Sequence, residues 1–222
     1  MGEVSFRKAF VDVGASDKES AEKKTPVGTF GVFHRELVEL GNGRILAKAL
    51  DDRVGVYTLL KTIEKLKGKK LKNTLIFSFT VQEEFSMLGA YTTGTSFKPD
   101  LCLAVDITDS DDTREKVHIN TVLGAGPAIK VFDMSLISHP GIKKKLVETA
   151  KKNKIPYQLE VLPFGGTDAG TISKTGKGVP SAAVSIPTRY IHTPSEVLAS
   201  DDVDNSVKLL EKFLVKDMKD TV

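Results

Sequence analysis

Residues 75–84 have the sequence LIFSFTVQEE, an apolar run that ends in two adjacent carboxylates. The run from Leu75 to Val81 is typical of a buried β-strand, and Glu83 and Glu84 follow directly after it. In α/β proteins the carboxyl ends of the strands open into the ligand crevice, so ionisable side chains at such ends are candidates for binding or catalysis. A glutamate pair can also simply mark the point where a strand reaches water. The rest of the sequence must decide between these two interpretations.

The segments around this stretch alternate between helical and strand-like patterns. They predict an α/β fold with a mostly parallel mixed sheet that helices cover on both faces. The predicted strands are residues 75–81, 101–107, 128–131, 157–162 and 182–186, and the predicted helices are residues 52–66, 86–93, 140–152, 169–175 and 203–216.

The first 47 residues have a different texture. Short β-like runs at residues 10–13, 29–38 and 44–47 are separated by glycines, and one short helix is predicted over residues 17–24 with Ser16 as its cap. The sequence therefore predicts a partial β module over residues 1–47, followed by an α/β domain over residues 48–222.

The composition is that of an ordinary globular chain and excludes several classes of protein. The 32 basic and 29 acidic residues nearly cancel, and no basic stripe with interleaved aromatics exists, so nucleic acid is not an expected partner. No apolar stretch approaches the roughly 20 residues of a membrane span, and the first residues lack a signal-peptide pattern. The single cysteine, Cys102, lies in an apolar run, which excludes an internal disulfide. We expect a soluble protein of the reducing cytoplasm.

Acidic and imidazole side chains recur where the predicted elements begin or end. They are Asp51-Asp52, Glu83-Glu84, Asp106 and His192. Each has a simple structural explanation, because an aspartate pair can cap a helix, a strand-end carboxylate can meet water, and a lone histidine can be hydrogen-bonded in a loop. Together, however, they are the oxygen and nitrogen donors that zinc binds, at ends of elements that converge on one crevice. A metal site is therefore the leading hypothesis.

The adjacent glutamates are not expected to share one role. Consecutive residues on a regular strand point to opposite faces, so one of Glu83 and Glu84 would bind metal and the other would act as a base. A glycosidase would instead need two carboxyl groups on either side of the scissile bond, roughly 5–10 Å apart. Neighbours in sequence are poorly placed for that arrangement.

Five motifs in order resemble the tetrahedral aminopeptidases, also called deblocking or glutamyl aminopeptidases, some of which carry an endoglucanase label. The motifs are residues 43–55 (GRILAKALDDRVG), 80–84 (TVQEE), 104–106 (AVD), 165–170 (GGTDAG) and 187–194 (PTRYIHTP). Residues 10–16 (FVDVGAS) also resemble part of the β module that these enzymes insert into their catalytic domain. The resemblance covers nearly the whole chain. It implies a zinc-peptidase-like fold, with residues 48–222 as the catalytic domain of a dinuclear metallopeptidase.

The resemblance also implies metal ligands. Asp51 would be the carboxylate that bridges two divalent ions, of zinc or cobalt. Glu84 and His192 would complete the first site, and Asp106 would serve the second.

Further roles follow from the same resemblance. Glu83 would be the general base, and Asp52 would orient the bridging carboxylate. The glycine-rich loop would line the substrate site through Gly165, Gly166, Thr167 and Asp168.

One ligand of the family has no counterpart in this sequence. The family carries a histidine in a His-x-Asp motif upstream of the inserted module, whereas His34, His118 and His139 lie in other contexts and are expected at surface or packing positions. The second site then keeps only Asp106 and a share of Asp51, so we expect one well-formed metal site. The resemblance also implies that residues 48–222 lack the first strands and helices of the family's catalytic domain. Their absence would leave apolar surface or a strand edge that another copy of the chain could cover.

These inferences lead to three hypotheses of function. The first is a metal-dependent aminopeptidase that removes amino-terminal residues from peptides and forms a homo-oligomer. The second is a non-catalytic fragment or assembly partner with the same fold. The third is a metal-independent endoglucanase, and neither nucleic acid nor a membrane is an expected partner of any of them.

Overall fold

The computed structural model describes residues 9–114, 119–219 and 221, and it separates into two compact units that divide after His34. The first unit contains helix α1 (Lys18–Lys24). Its N-cap is Asp17, whose carboxylate accepts a hydrogen bond from Ser20 N at 2.8 Å, while Ser20 Oγ accepts one from Asp17 N at 3.2 Å. The prediction of Ser16 as the cap was wrong, because this reciprocal pair satisfies both orphan N–H groups one residue later.

The second unit contains the sheet and the remaining helices. Its strands are β1 (Val38–Gly41), β2 (Arg44–Ala47), β3 (Cys102–Asp109), β4 (Ala128–Phe132), β5 (Gln158–Val161), β6 (Ser181–Arg189) and β7 (Glu196–Ala199). Its helices are α2 (Leu50–Leu66), α3 (Glu83–Ser86), α4 (Leu88–Phe97), α5 (Pro140–Lys152), α6 (Asp168–Ile172) and α7 (Ser200–Leu214). The prediction of an α/β fold with a mixed sheet is confirmed. The predicted module over residues 1–47 stays a prediction.

The sheet has seven strands, and its main path runs β1-β2-β7-β6-β4-β5, with β3 beside β6. Only the β3–β6 and β4–β5 pairs are parallel, and the other four pairs are antiparallel. The predicted mostly parallel sheet was therefore wrong. The prediction did not include β7, whose return after a turn at residues 190–195 makes it antiparallel to both β2 and β6.

Residues 75–81, the predicted strand of the opening motif, form no strand within the described residues. Residues 10–13 and 29–37 of the predicted β-like runs are likewise unpaired. Apolar and β-branched composition favours extended backbone, but a strand also needs a hydrogen-bonded neighbour. In the described part of the chain β3 pairs only with β6, so residues 75–81 have no such neighbour.

Two buried clusters pack against the central strand β6. One buried cluster packs α5 and α7 against β4 and β6 and includes Ile129, Ile142 and Phe213. A second cluster joins β2, α2, β3, β6, β7 and α7 through Ala47, Leu50, Val54, Ile107, Ile186, Leu198 and Val203. None of the helices in the described residues is long and apolar enough for a membrane span.

Candidate metal centre

Sheet topology brings two predicted metal ligands together from distant parts of the chain. Strands β2 and β6 point in the same direction, because each is antiparallel to β7. Asp51 follows β2 at the irregular start of α2, and His192 lies in the turn after β6. The carboxyl ends of the two strands therefore deliver both side chains to one edge of the sheet. Glu84 arrives from the one-turn helix α3.

The three side chains converge with donor spacings that suit one ion. His192 Nε2 lies 3.1 Å from Asp51 Oδ2 and 3.3 Å from Glu84 Oε2. One donor atom from each residue lies within 4.8 Å of the other two. Ligands about 2.1 Å from a tetrahedral zinc ion are about 3.4 Å apart, so this donor set fits a single divalent ion. Asp51 is 12% exposed and His192 is 69% exposed, which leaves the centre open to solvent on the histidine side.

The backbone around the ligands is irregular. Ala49 (φ 53°), Gln82 (φ 59°) and His192 (φ 61°) have left-handed conformations, and the Asp51-Asp52 peptide bond is cis. A left-handed conformation of a non-glycine residue costs roughly 1–3 kcal/mol and persists only where the surrounding structure fixes it. Each of the three segments that carry a predicted ligand therefore contains a backbone conformation that lowers local stability.

Two further aspartates lie behind the three ligands. Asp52 Oδ1 accepts a hydrogen bond from Gly55 N at 3.0 Å, and a Cβ at Gly55 would lie 2.2 Å from Asp52 Oδ2, so this approach needs a glycine. Burial and the charge of Asp106 raise the pKa of Asp52 to about 10. Asp106 Oδ1 accepts a hydrogen bond from Ile107 N at 2.8 Å. Burial and the charge of Glu83 raise the pKa of Asp106 well above its ordinary value.

Glu83 starts helix α3 next to the predicted ligand Glu84. Burial raises the pKa of Glu83 to about 7, and the charges of Asp168 and Glu84 contribute to the rise. Burial and the charge of Glu84 similarly raise the pKa of Asp51 to about 7. Several carboxyl groups therefore share a site where negative charge is poorly solvated. A divalent cation is the counter-charge that such a set lacks.

The predicted substrate loop lies beside Glu83. Gly165 and Gly166 precede α6, Thr167 is the N-cap residue of that helix, and Asp168 is its first residue. Asp168 Oδ2 accepts a hydrogen bond from Thr80 Oγ1 at 2.5 Å, which connects the loop to the extended segment before Glu83.

Asp168 also has an orphaned oxygen. Its Oδ1 is buried and has no hydrogen-bond partner within the described residues. Burial raises the pKa of Asp168, although the bond from Thr80 partly offsets the rise.

Sequence analysis did not identify two neighbours of the centre. Glu196 is buried and accepts hydrogen bonds from the backbone N–H groups of Asp51 and His192. Arg189, at the end of β6, donates from Nε and Nη2 to the two oxygens of Asp112, both at 2.7 Å. Neither pairing has a sequence signal, because Glu196 acts on backbone atoms and Arg189 is far from Asp112 in the chain.

Two of the other three histidines lie among the described residues. His34 is exposed and His139 is half-buried at the start of α5, and neither joins a metal-binding group within the described residues. His118 lies outside the described residues.

Comparisons with known proteins identify relatives along the whole chain. A profile of the M42 glutamyl aminopeptidase family matches residues 1–209. The solved structure of aminopeptidase APDkam598 from the archaeon Desulfurococcus kamchatkensis is 41% identical and superimposes with a TM-score of 0.88. The match covers 98% of this chain and 62% of that one. This chain therefore spans less than two thirds of the length of that relative.

Two further solved structures have the same fold. The TET1 peptidase of Pyrococcus horikoshii, which assembles into a tetrahedron or a large octahedral shell, is 31% identical with a TM-score of 0.81, over 93% of this chain and 60% of that one. A Thermotoga maritima protein described as an endoglucanase is 31% identical with a TM-score of 0.64, over 81% of this chain and 52% of that one.

Proposed function

The chain belongs to the M42 glutamyl aminopeptidase family, and on that premise we propose that it is a metal-dependent aminopeptidase that removes amino-terminal residues from peptides. The observation that carries the proposal is the convergence of Asp51, Glu84 and His192, with donor atoms within 4.8 Å of one another, beside the buried carboxyl of Glu83.

Members of the family use divalent metal ions. Asp51, Glu84 and His192 would hold one ion, of zinc or cobalt, and Asp106 would contribute to a second, weaker site. A bound divalent ion supplies Lewis-acid chemistry: it polarises a peptide carbonyl and lowers the pKa of a water molecule. The described donors support one well-formed site, so we expect about one tightly bound ion per chain by elemental analysis.

Glu83 would move the proton in the reaction. Burial raises the pKa of Glu83 in the metal-free protein, and a carboxyl beside the bound ion can accept a proton and later release it. Glu83 would take a proton from the attacking water and deliver it to the amine that leaves when the peptide bond breaks. Asp52, hydrogen-bonded to Gly55 N, would hold the backbone next to Asp51 in place.

The loop of residues 165–168 would form one wall of the substrate site. Thr80 and Asp168 tie this loop to the segment that carries Glu83, so substrate contacts on the loop and the base would move together. The free amine of a peptide would be attracted by the excess of carboxyl groups around the centre. This attraction supports a peptide substrate over a neutral glucan.

We further propose that the protein forms a homo-oligomer in the cytoplasm. Strand β1 lies at one end of the sheet path, and its Val38 and Leu40 are 41% and 53% exposed. An exposed apolar edge strand of this kind can pair with a strand of another chain. The buried free thiol of Cys102 is consistent with a reducing compartment.

Hydrolysis of amino-acid amides tests this function. The protein is freed of metal with a chelator and then assayed with added zinc or cobalt. We expect turnover only with metal, and we expect Glu83→Gln to lower kcat about 10²–10⁴-fold, because a general base is lost. Glu148→Gln, an exposed Glu-to-Gln exchange on α5, is the control and should retain full activity.

Two outcomes would replace this proposal. Absence of turnover at every metal concentration would favour a non-catalytic partner with the same fold. Hydrolysis of a glucan that survives the chelator would favour the endoglucanase reaction.

A further inference from the structure

Glu196 is a fully buried carboxylate whose hydrogen-bond donors are backbone amides. It is the first residue of β7, opposite Ala47 in the pairing with β2, and it is 1% exposed. No basic side chain among the residues that the structure describes forms an ion pair with it. Its two oxygens instead accept hydrogen bonds from Asp51 N at 3.2 Å and from His192 N at 3.0 Å. A buried charge needs such compensation to be tolerated.

The two amide donors belong to residues whose side chains meet again. Asp51 Oδ2 and His192 Nε2 are 3.1 Å apart, on the side chains of the same two residues whose N–H groups Glu196 binds. The contacts therefore form a closed ring that passes from Glu196 through His192 to Asp51 and back. The separation of the two backbones therefore limits the separation that Asp51 Oδ2 and His192 Nε2 can adopt.

Neither amide has a partner in regular secondary structure. Asp51 lies in the first turn of α2, where N–H groups have no acceptor within the helix, and His192 lies in a turn with φ 61°. Glu196 thus supplies to both segments the acceptor that a strand or helix would normally supply. It fixes two irregular segments at the point where Asp51 Oδ2 and His192 Nε2 must have a defined separation to bind one ion.

We propose that Glu196 is a positioning residue of the metal centre: it holds the backbones of Asp51 and His192 at the separation that lets one ion bind both side chains. This inference rests on the proposed metal site, which it extends by a residue that does not contact the ion. Groups that orient metal ligands typically change metal affinity about 10–100-fold when they are replaced.

Asp202 provides a matched control. It is also fully buried, and its oxygens accept hydrogen bonds from Gly124 N at 2.7 Å and Gly126 N at 2.8 Å. None of the proposed metal ligands takes part in these bonds. Glu196→Gln and Asp202→Asn each remove one charge and turn one acceptor into an amide NH₂ that faces an N–H donor, so one hydrogen bond is lost in both. If Glu196 had only a structural role, both variants should lose stability and keep the same metal affinity.

In the experiment, the metal-free protein is titrated with Co²⁺, and binding is monitored through the visible absorption of bound cobalt. Competition with a chelator gives the affinity. Thermal unfolding without metal is measured in parallel. We expect both variants to unfold at lower temperature than the wild type. Only Glu196→Gln should bind Co²⁺ about 10–100-fold more weakly and with an altered absorption spectrum. Asp202→Asn should keep the wild-type affinity and spectrum.

The possible failures are distinguishable. If the wild type binds Co²⁺ and Glu196→Gln binds it equally well, or if both variants lose affinity equally, the positioning role is rejected while the metal site stands. If the wild type binds no Co²⁺, the proposed metal site is rejected and this inference with it. Should Glu196→Gln not fold, Glu196→Asp keeps the charge but withdraws both oxygens by one methylene, and it should show the same weaker binding.

Discussion

The two sides of the metal centre are held in different ways. Asp51 follows β2 and His192 follows β6, and both strands pair with β7. The buried Glu196 joins the backbones of the two residues. Glu83 and Glu84 follow residues 75–81, which form no strand within the described residues. We call the first side the paired side and the second the open side.

The apolar side chains of the two sides also differ in their exposure to solvent. Ile186, on the paired side, is completely buried, whereas Ile76 and Val81 on the open side are 50% and 69% exposed. The backbone bond from Gly89 N to Val81 O at 3.0 Å is one of few described contacts that hold the open side. One proposed metal ligand and the proposed base therefore depend on the less supported part of the fold.

Matched isoleucine substitutions test this contrast most directly. Ile186→Ala removes buried methyl groups from the cluster below the centre, so we expect a loss of about 2–5 kcal/mol in the free energy of unfolding. Ile76→Ala removes the same groups from a half-exposed site, so we expect a loss of about 1 kcal/mol or less. Denaturant unfolding of both variants gives the two values. Equal losses would show that residues 75–81 are packed as tightly in solution as β6.

The pH dependence of stability reflects both sides, because both contribute carboxyl groups to the centre. The pKa values of Asp51 and Glu83 are about 7 and that of Asp52 is about 10, whereas unfolded carboxyls titrate near about 4. The folded state therefore binds more protons than the unfolded state above this pH. The contribution of the protonated groups is complete below about pH 4 and is lost as pH rises through the folded pKa values.

We accordingly expect the metal-free protein to unfold at a lower temperature at pH 8 than at pH 5. Added Zn²⁺ should recover the loss at pH 8, since the cation replaces the protons. Glu83→Gln, which removes the titrating group of the open side, should reduce the slope. Thermal unfolding of protein stripped of metal with a chelator that is then removed, with and without added Zn²⁺, measures all three effects. A Tm that does not change with pH would contradict the crowding of these carboxyls.

The smallest effect concerns the end of β6 on the paired side. Burial would raise the pKa of Asp112, but hydrogen bonds from Arg189 and Ser110 outweigh it and lower the pKa to about 2. Asp112→Asn removes a partly exposed ion pair, so we expect a loss of about 1 kcal/mol at pH 6. The native contribution is complete above the unfolded pKa near 4 and is lost as pH falls through about 2.

The difference between wild type and Asp112→Asn should therefore shrink between pH 6 and pH 2.5. Urea unfolding at several pH values measures it, with Glu148→Gln as an exposed control. A difference that is constant over this range would mean that the Arg189 pair does not stabilise the folded state.

Sequence patterns predicted most helices because apolar spacing and caps are local. The predicted α5 matches the observed bounds Pro140–Lys152, where a proline stands at the first helical turn. The predicted start of α2 differs from the observed start by two residues and its predicted end matches, whereas the predicted start and end of α7 differ by three and two residues. Helix termini are the least certain part of such predictions. The strand prediction was weaker, because pairing depends on residues far away in the chain. Residues 75–81 have a strand composition without a neighbour, and β7 has a neighbour on each side although it is only four residues long.

The sequence by itself determined the fold class, the family motifs and the residue types that could bind a metal. Only the tertiary structure decided that Asp51, Glu84 and His192 meet, that most strand pairs are antiparallel, and that Glu196 connects two ligand backbones. The physical reason is that propensity and hydrophobic period act over a few residues. Strand pairing and the compensation of a buried charge join atoms that are close in space and distant in the chain.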